Sequence, residues 1–369
     1  MKRISLHALA ACALLNLAAS ARAAEVTAEL DLQSLFLSNV FLDSSSEWDL
    51  ALRPSAELGL DFAEYWSAGY AGELNAYTRH AELLSHWHQV FLYANPAWGD
   101  DAENELALEL SLDTLRNEAT YAALNNLRPR LLARLALAPY DWLSWRLELD
   151  VTYRWFYDDR PSDSLDAWIA GRIGFTLPSR TTLIPRVAYG YRHYPRQDTS
   201  VTHDVQDQQL ELGLRIGQAL WKAAGLQLDY LYRLAIGESG LLLRKLTLDQ
   251  FSYLGESFLF SGHQARIGLK QLLGQHWKIS AWLRYQQRSF AGWQVIDETD
   301  FTLLDEQRED HRLTPGLRVS FAWWPGDEAS AAVPEIELAL EYRYTRQWSN
   351  QGWYDTRGHV GGLSLWLGW

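Results

Sequence analysis

The feature that most constrains the fold is a strict alternation of apolar and polar residues along most of the chain. From 145 to 155 the odd positions are Trp, Leu, Leu, Val, Tyr and Trp, and the even positions are Arg, Glu, Asp, Thr and Arg. A repeat of two residues is that of a β-strand, whose side chains point to opposite faces in turn. Because charges at the centre of a strand cannot pack into an apolar core, the polar face must meet water. The other face must meet an apolar medium.

Sixteen such stretches are predicted to be strands, and their connections alternate in length. The predicted strands are 25–37, 47–60, 64–78, 85–95, 104–114, 119–137, 142–156, 164–177, 181–193, 207–219, 224–236, 261–272, 276–290, 310–324, 334–347 and 357–369. Short connections (61–63, 138–141, 178–180, 273–275) alternate with long ones (194–206, 237–260, 291–309, 348–356). The pattern predicts an all-β fold, a transmembrane antiparallel up-and-down β-barrel with short periplasmic turns and long extracellular loops. Fourteen strands are also compatible, as are eighteen if 237–260 contains a further hairpin.

A soluble β-sandwich or a sugar-binding β protein would share part of this composition. Trp and Tyr occur 18 times each, far above ordinary usage. In this chain the aromatic residues cluster at strand ends, as Trp145 and Trp155 do, which is typical of the girdles at two membrane interfaces. The run from Leu127 to Ala138 is the best candidate for a membrane helix, but Pro129 and three arginines interrupt it. These observations favour the membrane barrel.

The first 23 residues have the pattern of a cleaved signal peptide. Lys2 and Arg3 precede an apolar run, and Ala21-Arg22-Ala23 is a small-x-small cleavage site. Residues 24–369 would then form the barrel. An alternative is a lipoprotein signal, because Leu9-Ala10-Ala11-Cys12 matches its cleavage box. Removal of the three bases in residues 1–23 lowers the formal net charge from −13 to about −16, which argues against general binding of nucleic acid.

The end of the chain carries a resemblance. Leu363, Leu365, Leu367 and Trp369 alternate with mostly small residues, and the chain stops on the aromatic. This ending resembles the C-terminal strand of bacterial outer-membrane β-barrels, whose terminal aromatic is read by the insertion machinery. The hairpin 342–357, with Ser-Asn in its loop, resembles the closing hairpin of barrels that serve polysaccharide export or surface-lipoprotein assembly.

The resemblance implies a place in the outer membrane of a Gram-negative bacterium. Outer-membrane lipid, lipopolysaccharide and the barrel-assembly machinery would then be partners, and Leu365, Leu367 and Trp369 would form the insertion signal. Since short turns belong on the periplasmic side, both termini are expected in the periplasm.

The polar residues of the strands are expected to line the bore, and their charges are sorted along the chain. A basic wall is predicted from Arg128, Arg130, Arg134, Arg146, Arg154, Arg172, Arg186, Arg215, Arg233, Arg266, Arg284 and Arg318. An acidic wall is predicted from Glu29, Asp31, Asp49, Glu57, Glu73, Glu105, Glu109, Glu335, Glu337 and Glu341. Either the charges pair across neighbouring strands and fill a polar interior, or they create a transverse field across a water-filled channel.

Arginines bind carboxylate, phosphate or sulfate groups through forked hydrogen bonds. Trp168 and Trp282, on the same face as these charges, are candidates for stacking on sugar rings. The sequence therefore favours a pore, or a conduit for export or uptake, that passes polar solutes. The candidates are small polar or anionic solutes, carbohydrates and polysaccharide. A barrel whose bore is plugged and which serves surface assembly is an alternative.

Catalytic and metal-binding patterns were weighed against this interpretation. His86 and His88 share one strand face but have no evident third ligand for a metal. A rim-active hydrolase would have to use His193, His203, Asp198, Asp204 and Asp207 of one external loop. Gly237-Glu238-Ser239-Gly240 lacks the final glycine of a nucleophile elbow, and the acids of 290–310 are typical of a solvated loop. We expect no catalysis, no cofactor and no bound metal.

Overall fold

The computed structural model describes residues 25–40, 47–99, 103–158, 163–195, 206–236, 260–297, 299–300, 302–324 and 334–369, without the side chains of 291–293. The predicted signal peptide with Cys12 lies outside these ranges. So do 237–259, where a further hairpin was considered. Within the described ranges no helix has the length and apolar character needed to cross a membrane.

Antiparallel strands make up nearly all of the described chain. They are β1 (Glu25–Leu37), β2 (Asp49–Ala63), β3 (Trp66–Tyr77), β4 (Ser85–Ala94), β5 (Ala97–Trp98), β6 (Asn104–Asn117), β7 (Asn126–Tyr140), β8 (Leu143–Phe156), β9 (Ser164–Thr176), β10 (Thr181–His193), β11 (Gln206–Trp221), β12 (Ala224–Ile236), β13 (Ser261–Leu273), β14 (Trp277–Ile296), β15 (Leu303–Trp323), β16 (Glu335–Ser349) and β17 (Thr356–Gly368). Three short 3-10 turns, Ala81–Leu83, Ala119–Leu124 and Gly352–Tyr354, lie in connections between them.

The strands close into a single barrel. Each long strand pairs with the next along the chain, and β17 pairs with β1 in a register that runs from Glu29 opposite Gly368 to Leu37 opposite Val360. The two-residue β5 pairs only with β6, so sixteen long strands form the wall. The predicted closed antiparallel barrel of about sixteen strands is therefore confirmed. Closure leaves none of the sixteen described wall strands at an open edge of the sheet.

The two faces of the wall differ as the alternation predicts. Leu110, Val187 and Leu340 point outwards and are 55%, 51% and 62% exposed. Trp145 and Trp155 lie ten residues apart on the outer face of β8. At ~3.3 Å per residue and a tilt of ~40°, they are about 25 Å apart along the barrel axis, which is the height of the apolar band of such barrels.

The two ends of the barrel are built differently. One end, called the turn end below, holds residues 25 and 369 and the tight turns 64–65, 141–142 and 222–223. The opposite end, called the loop end, holds the longer connections, among them 38–48, 78–84, 118–125 and 350–355. Short and long connections thus alternate between the two ends, with two exceptions at the turn end, 95–103 and 324–334.

The prediction was wrong for two segments, 291–309 and 119–125, and both lie at the loop end. Residues 291–309, expected as a loop, are largely strand, because β14 runs to Ile296 and β15 starts at Leu303, with register shifts between them. Gln351 fixes this extension by accepting a hydrogen bond from the Ile296 amide at 2.8 Å and donating one to its carbonyl at 3.2 Å. The strand predicted from 119 starts at Asn126, since 119–124 form a 3-10 turn.

The bore is tightly packed towards the loop end and open towards the turn end. Phe260 and Phe290, 3% and 2% exposed, pack with Tyr354 inside the loop end. The side chain of Arg308, on the inner face there, is only 3% exposed, whereas that of Arg215 in the turn half is 54% exposed. The loop half therefore has an interior core of its own.

Candidate functional site

Arginines line the inner face of the barrel over nine strands, from β7 to β15. Strand register places the predicted basic residues there: Arg128, Arg130 and Arg134 on β7, Arg146 and Arg154 on β8, Arg172 on β9, Arg186 on β10, Arg215 on β11, Arg233 on β12, Arg266 on β13, Arg284 on β14 and Arg318 on β15. Some of them pair with an acid and some lie directly opposite another arginine, and Arg186 does both.

At least seven of these arginines form ion pairs with acids of neighbouring strands. The pairs are Arg130–Asp150, Arg134–Glu148, Arg154–Asp166, Arg186–Glu211, Arg233–Glu211, Arg215–Asp229 and Arg318–Glu337, with N–O distances from 2.5 to 3.3 Å. The first of the two sequence hypotheses, pairing across strands, thus accounts for part of the wall. The most buried pairs lie in the packed loop half, where an unpaired charge would be costly.

Towards the turn end the register opposes like charges. Arg146 on β8 lies directly opposite Arg172 on β9, and Arg172 lies directly opposite Arg186 on β10. We call these three residues the arginine row. A second opposition lies on another part of the wall, where Arg284 on β14 is directly opposite Arg266 on β13. Like charges at directly opposed positions destabilise a sheet, so these oppositions cost stability, although Arg186 also pairs with Glu211.

The arginine row and the opposed pair Arg266 and Arg284 all line one recess of about 620 Å³ in the turn half of the bore. Its lining includes six arginines: Arg146, Arg172, Arg186, Arg215, Arg266 and Arg284. Three acids, Glu103, Glu105 and Asp229, also line it. The recess is therefore polar and predominantly cationic, and it is large enough for a small solute.

Most of the predicted acidic residues face the bore from β16, β1, β2, β3 and β6. They are Glu29 and Asp31 on β1, Glu57 on β2, Glu73 on β3, Glu105 and Glu109 on β6, and Glu335, Glu337 and Glu341 on β16. Glu29 lies directly opposite Glu57, which is again an opposition of like charges. Because β17 joins β16 to β1, this acidic surface continues across the closing strand.

Asp49 does not belong to this surface, although the sequence placed it there. It has no exposed surface, and it accepts hydrogen bonds from the backbone amides of Thr78, Arg79 and His80. The His80 ring contacts Asp49 Oδ2 at 2.8 Å and Glu47 Oε2 at 2.9 Å. Burial by itself lowers the pKa of His80, but these two hydrogen bonds outweigh it and raise that pKa above 6.5. Asp49 is thus the anchor of the 78–84 loop.

At least four tryptophans of the described strands face the bore, and the sequence analysis overlooked two of them, one being Trp87 on β4, directly opposite Glu73. Trp168 and Trp282 lie on the inner faces of β9 and β14, as expected. Trp366 lies on the inner face of β17, between Asp31 and Glu337, and donates a hydrogen bond to Glu29 at 3.2 Å. In the sequence, the alternation along the closing strand already places Trp366 on the same face as Gly362, Ser364 and Gly368. This position could have identified Trp366 as a residue of the bore.

His193 and Asp207, the two described residues of the set considered for catalysis, face opposite sides of the wall. His193 ends β10 opposite Leu165 on the outer face, whereas Asp207 lies opposite Arg192 on the inner face. His86 and His88 also face outwards, bonded to each other at 2.9 Å and, through His88, to Tyr70 at 2.6 Å. Among the residues that the structure describes, no three His, Cys, Asp or Glu side chains are grouped to hold a metal ion.

The remaining candidates of that search lie outside the described ranges. They are His203, Asp198, Asp204, 237–240 and Glu298.

The closing strand places its apolar residues outwards. Leu365 and Leu367 share the outer face of β17 with Leu363, which is 56% exposed. Trp369 follows on the same face and exchanges backbone hydrogen bonds with Ala28 at 3.2 and 2.9 Å. The last residue of the chain is therefore paired into the seam.

No family model and no curated protein sequence matches the chain. Solved structures do match it. A bacterial polysaccharide outer membrane secretin superposes with a TM-score of 0.51 at 9% identity, covering 93% of this chain and 97% of that one. OccD1 (OprD) superposes with a TM-score of 0.50 at 10% identity, covering 94% and 95%. At these identities the likeness concerns architecture, and the chain has the closed sixteen-strand fold of bacterial outer-membrane barrels.

Proposed function

We propose that this protein is an outer-membrane pore that conducts small anionic solutes, carboxylates and acidic sugars among them, without catalysis. The observation that carries the proposal is the arginine row, in which Arg146, Arg172 and Arg186 oppose one another inside the open half of the bore. Glu211 balances Arg186, but ion pairing across strands does not explain why Arg146 and Arg186 both lie directly opposite Arg172. An anion bound between the three arginines is attracted by each of them and offsets their mutual repulsion. A guanidinium group can donate two parallel hydrogen bonds to the two oxygens of a carboxylate.

The acidic surface of β16, β1 and β2 supports the same proposal. With arginines on one side of the bore and Glu29, Glu57 and Glu337 on the other, the field runs across the channel. Such a field orients dipolar solutes and disfavours apolar ones, because apolar molecules cannot replace the hydration of the charged walls. The packed loop half then sets the size limit for passage.

A second candidate function follows from that packed half. A bore filled by Phe260, Phe290 and Tyr354 at one end also fits a plugged barrel that serves assembly of surface polysaccharide or lipoprotein. Such a barrel would conduct no ions in its resting state.

We further propose that residues 1–23 direct export and that the turn end, with both termini, faces the periplasm. The loop end would then meet lipopolysaccharide. Leu365, Leu367 and Trp369 would be read by the barrel-assembly machinery during insertion, which is consistent with their place on the outer face of the seam.

Reversal potentials in planar bilayers under a KCl gradient test the pore. The native barrel should prefer chloride, and the triple variant Arg146→Gln, Arg172→Gln, Arg186→Gln should lose most of that preference. Glu29→Gln with Glu57→Gln is the matched control and should strengthen it. A folded native barrel without conductance at either polarity would favour the plugged barrel, and an unchanged reversal potential in the triple variant would refute the role of the arginine row.

A further inference from the structure

Trp282 packs against the wall of the bore, with its indole ring over a glycine of the neighbouring strand. It lies on the inner face of β14, directly opposite Gly268 on β13 and Gly316 on β15. A Cβ atom added at Gly316 would collide with Cζ2 and Cε2 of the indole ring. The ring therefore covers the β15 backbone, and this position requires the glycine. One face of the indole is turned towards the wall and the other towards the bore.

Cations surround this ring. Arg284 is two residues farther along β14, and Arg266 lies directly opposite Arg284 on β13, with its guanidinium carbon 5.6 Å from the centre of the indole ring. On the other side of the ring, Lys270 and Arg318 both lie directly opposite Ser280. Trp282, Arg266, Lys270, Arg284 and Arg318 are called the Trp282 platform below.

The nearby acids leave the platform cationic. Arg318 is paired with Glu337 at 3.0 Å and reaches Glu341 at 3.9 Å. Asp229, opposite Arg266, is bound by Arg215 at 2.5 Å. Lys270 is solvent-exposed on the inner face, so its ammonium group is accessible from the bore.

A flat aromatic face edged by cations matches one kind of ligand. The indole surface stacks on a ring with an apolar face, and guanidinium or ammonium groups at its margin bind an anionic group at the edge of that ring. Inorganic anions gain nothing from the aromatic surface, and neutral sugars gain nothing from the cations. We infer that the Trp282 platform is a binding site for a six-membered ring that carries a carboxylate. This inference rests on the proposed function and assigns a site within it.

The closing strand provides a natural control inside the same bore. Trp366 is also packed over a glycine, since a Cβ atom at Gly368 would lie 2.5 Å from its Cη2. Its neighbours are acidic, with Asp31 and Glu337 directly opposite and Glu29 bonded to its indole nitrogen. Trp366 thus shares the aromatic feature with Trp282 and lacks the cationic one.

Calorimetric titration of the full-length barrel in detergent tests the site. The probes are glucuronate, benzoate, glucose and acetate. Native protein should bind glucuronate or benzoate at least about tenfold more tightly than glucose or acetate, because stacking on an aromatic side chain is worth ~1–3 kcal/mol. Which of the first two binds more tightly distinguishes a sugar acid from an aromatic acid. Equal binding of all four probes would overturn the inference.

Variants locate the binding on the platform. Trp282→Ala should raise the dissociation constant for the preferred ring carboxylate about tenfold, and Gly316→Val should do the same by displacing the ring without changing any charge. Trp366→Ala should leave it unchanged. Arg266→Gln should weaken ring carboxylates and leave glucose unaffected. Each barrel is first checked for folding by its heat-modifiable migration in SDS gels, and Arg266→Gln provides the test if a ring variant does not fold.

The outcomes separate this inference from the proposed function. Loss of chloride preference in the arginine-row variant, together with unchanged glucuronate binding in Trp282→Ala, would overturn the platform and leave the pore intact. Trp282-dependent binding by a barrel that conducts no ions would support the platform and refute the pore. Equal losses in Trp282→Ala and Trp366→Ala would also overturn the platform.

Discussion

Replacing Asp166 by asparagine should destabilise the barrel far more than the same change at Asp229. Asp166 on β9 accepts hydrogen bonds from Arg192 Nε at 2.5 Å and Nη2 at 3.0 Å, and Arg154 Nη2 is 3.1 Å away. The side chain of Asp166 is 6% exposed, and those of Arg192 and Arg154 are 14% and 20% exposed. The one carboxylate therefore balances two largely buried cations.

The magnitude follows from that burial. Removing one partner of a buried ion pair typically costs ~3–5 kcal/mol, because the remaining charge is left uncompensated. Asp229 is chemically similar, since it also pairs with an arginine of a neighbouring strand. However, the side chain of Arg215 is 54% exposed and water can replace its partner, so Asp229→Asn should cost about 1 kcal/mol or less. We expect a difference of at least ~2 kcal/mol between the two variants.

Equilibrium unfolding in urea, with the barrel in lipid vesicles and tryptophan fluorescence as the signal, measures both variants. Arg154→Met is a useful third variant, because it removes one of the two cations and leaves Asp166 paired with Arg192. It should cost less than Asp166→Asn. Equal losses of unfolding free energy in the Asp166 and Asp229 variants would refute the reasoning, since burial would then not determine the contribution of these pairs.

Three further predictions concern the row, a loop and the seam. Arg172→Glu places a negative charge between Arg146 and Arg186 and should raise the free energy of unfolding while lowering chloride preference. A lower free energy of unfolding would show that the three opposed arginines do not destabilise the native barrel. The pKa of His80 is raised in the folded loop, so its stabilisation is complete below about 6.5 and is lost as pH rises through the folded pKa. Protease cleavage within 78–84 should therefore increase with pH, and His80→Gln should flatten that rise. Deleting Trp369 should lower the yield of folded barrel more than the conductance of the barrels that form, and a normal yield would contradict its role in assembly.

The sequence was sufficient for the architecture because the barrel wall obeys one local rule. A repeat of two residues determines both the strand and the face of each side chain, so the outward leucines and inward arginines follow from position alone. The predicted strand 47–60, for instance, corresponds to β2, which runs from Asp49 to Ala63. The closure of the barrel was predicted from the apolar last strand, because such a strand needs a partner, and in the structure it pairs with β1.

What the sequence did not reveal depends on register and on tertiary burial. That Arg146, Arg172 and Arg186 oppose one another depends on which residues of adjacent strands are paired, and a shift of two residues would separate them. Asp49 looks like any other inward acid until the 78–80 backbone amides are seen to surround it. The 291–309 extension has no strong alternation, and it is fixed by the side chain of Gln351 from another loop.

The two halves of the bore show why the same residue type has two roles in this chain. In the packed half, arginines such as Arg192 and Arg308 are paired with Asp166 and Asp310, because a buried unpaired cation would cost several kcal/mol. In the open half, water screens the charges, and two cations ~4 Å apart repel by only ~1 kcal/mol. An opposition of like charges is therefore tolerable only where water fills the bore. An anion that displaces this water would remove that repulsion, so the open half of the bore is the place to look for bound solute.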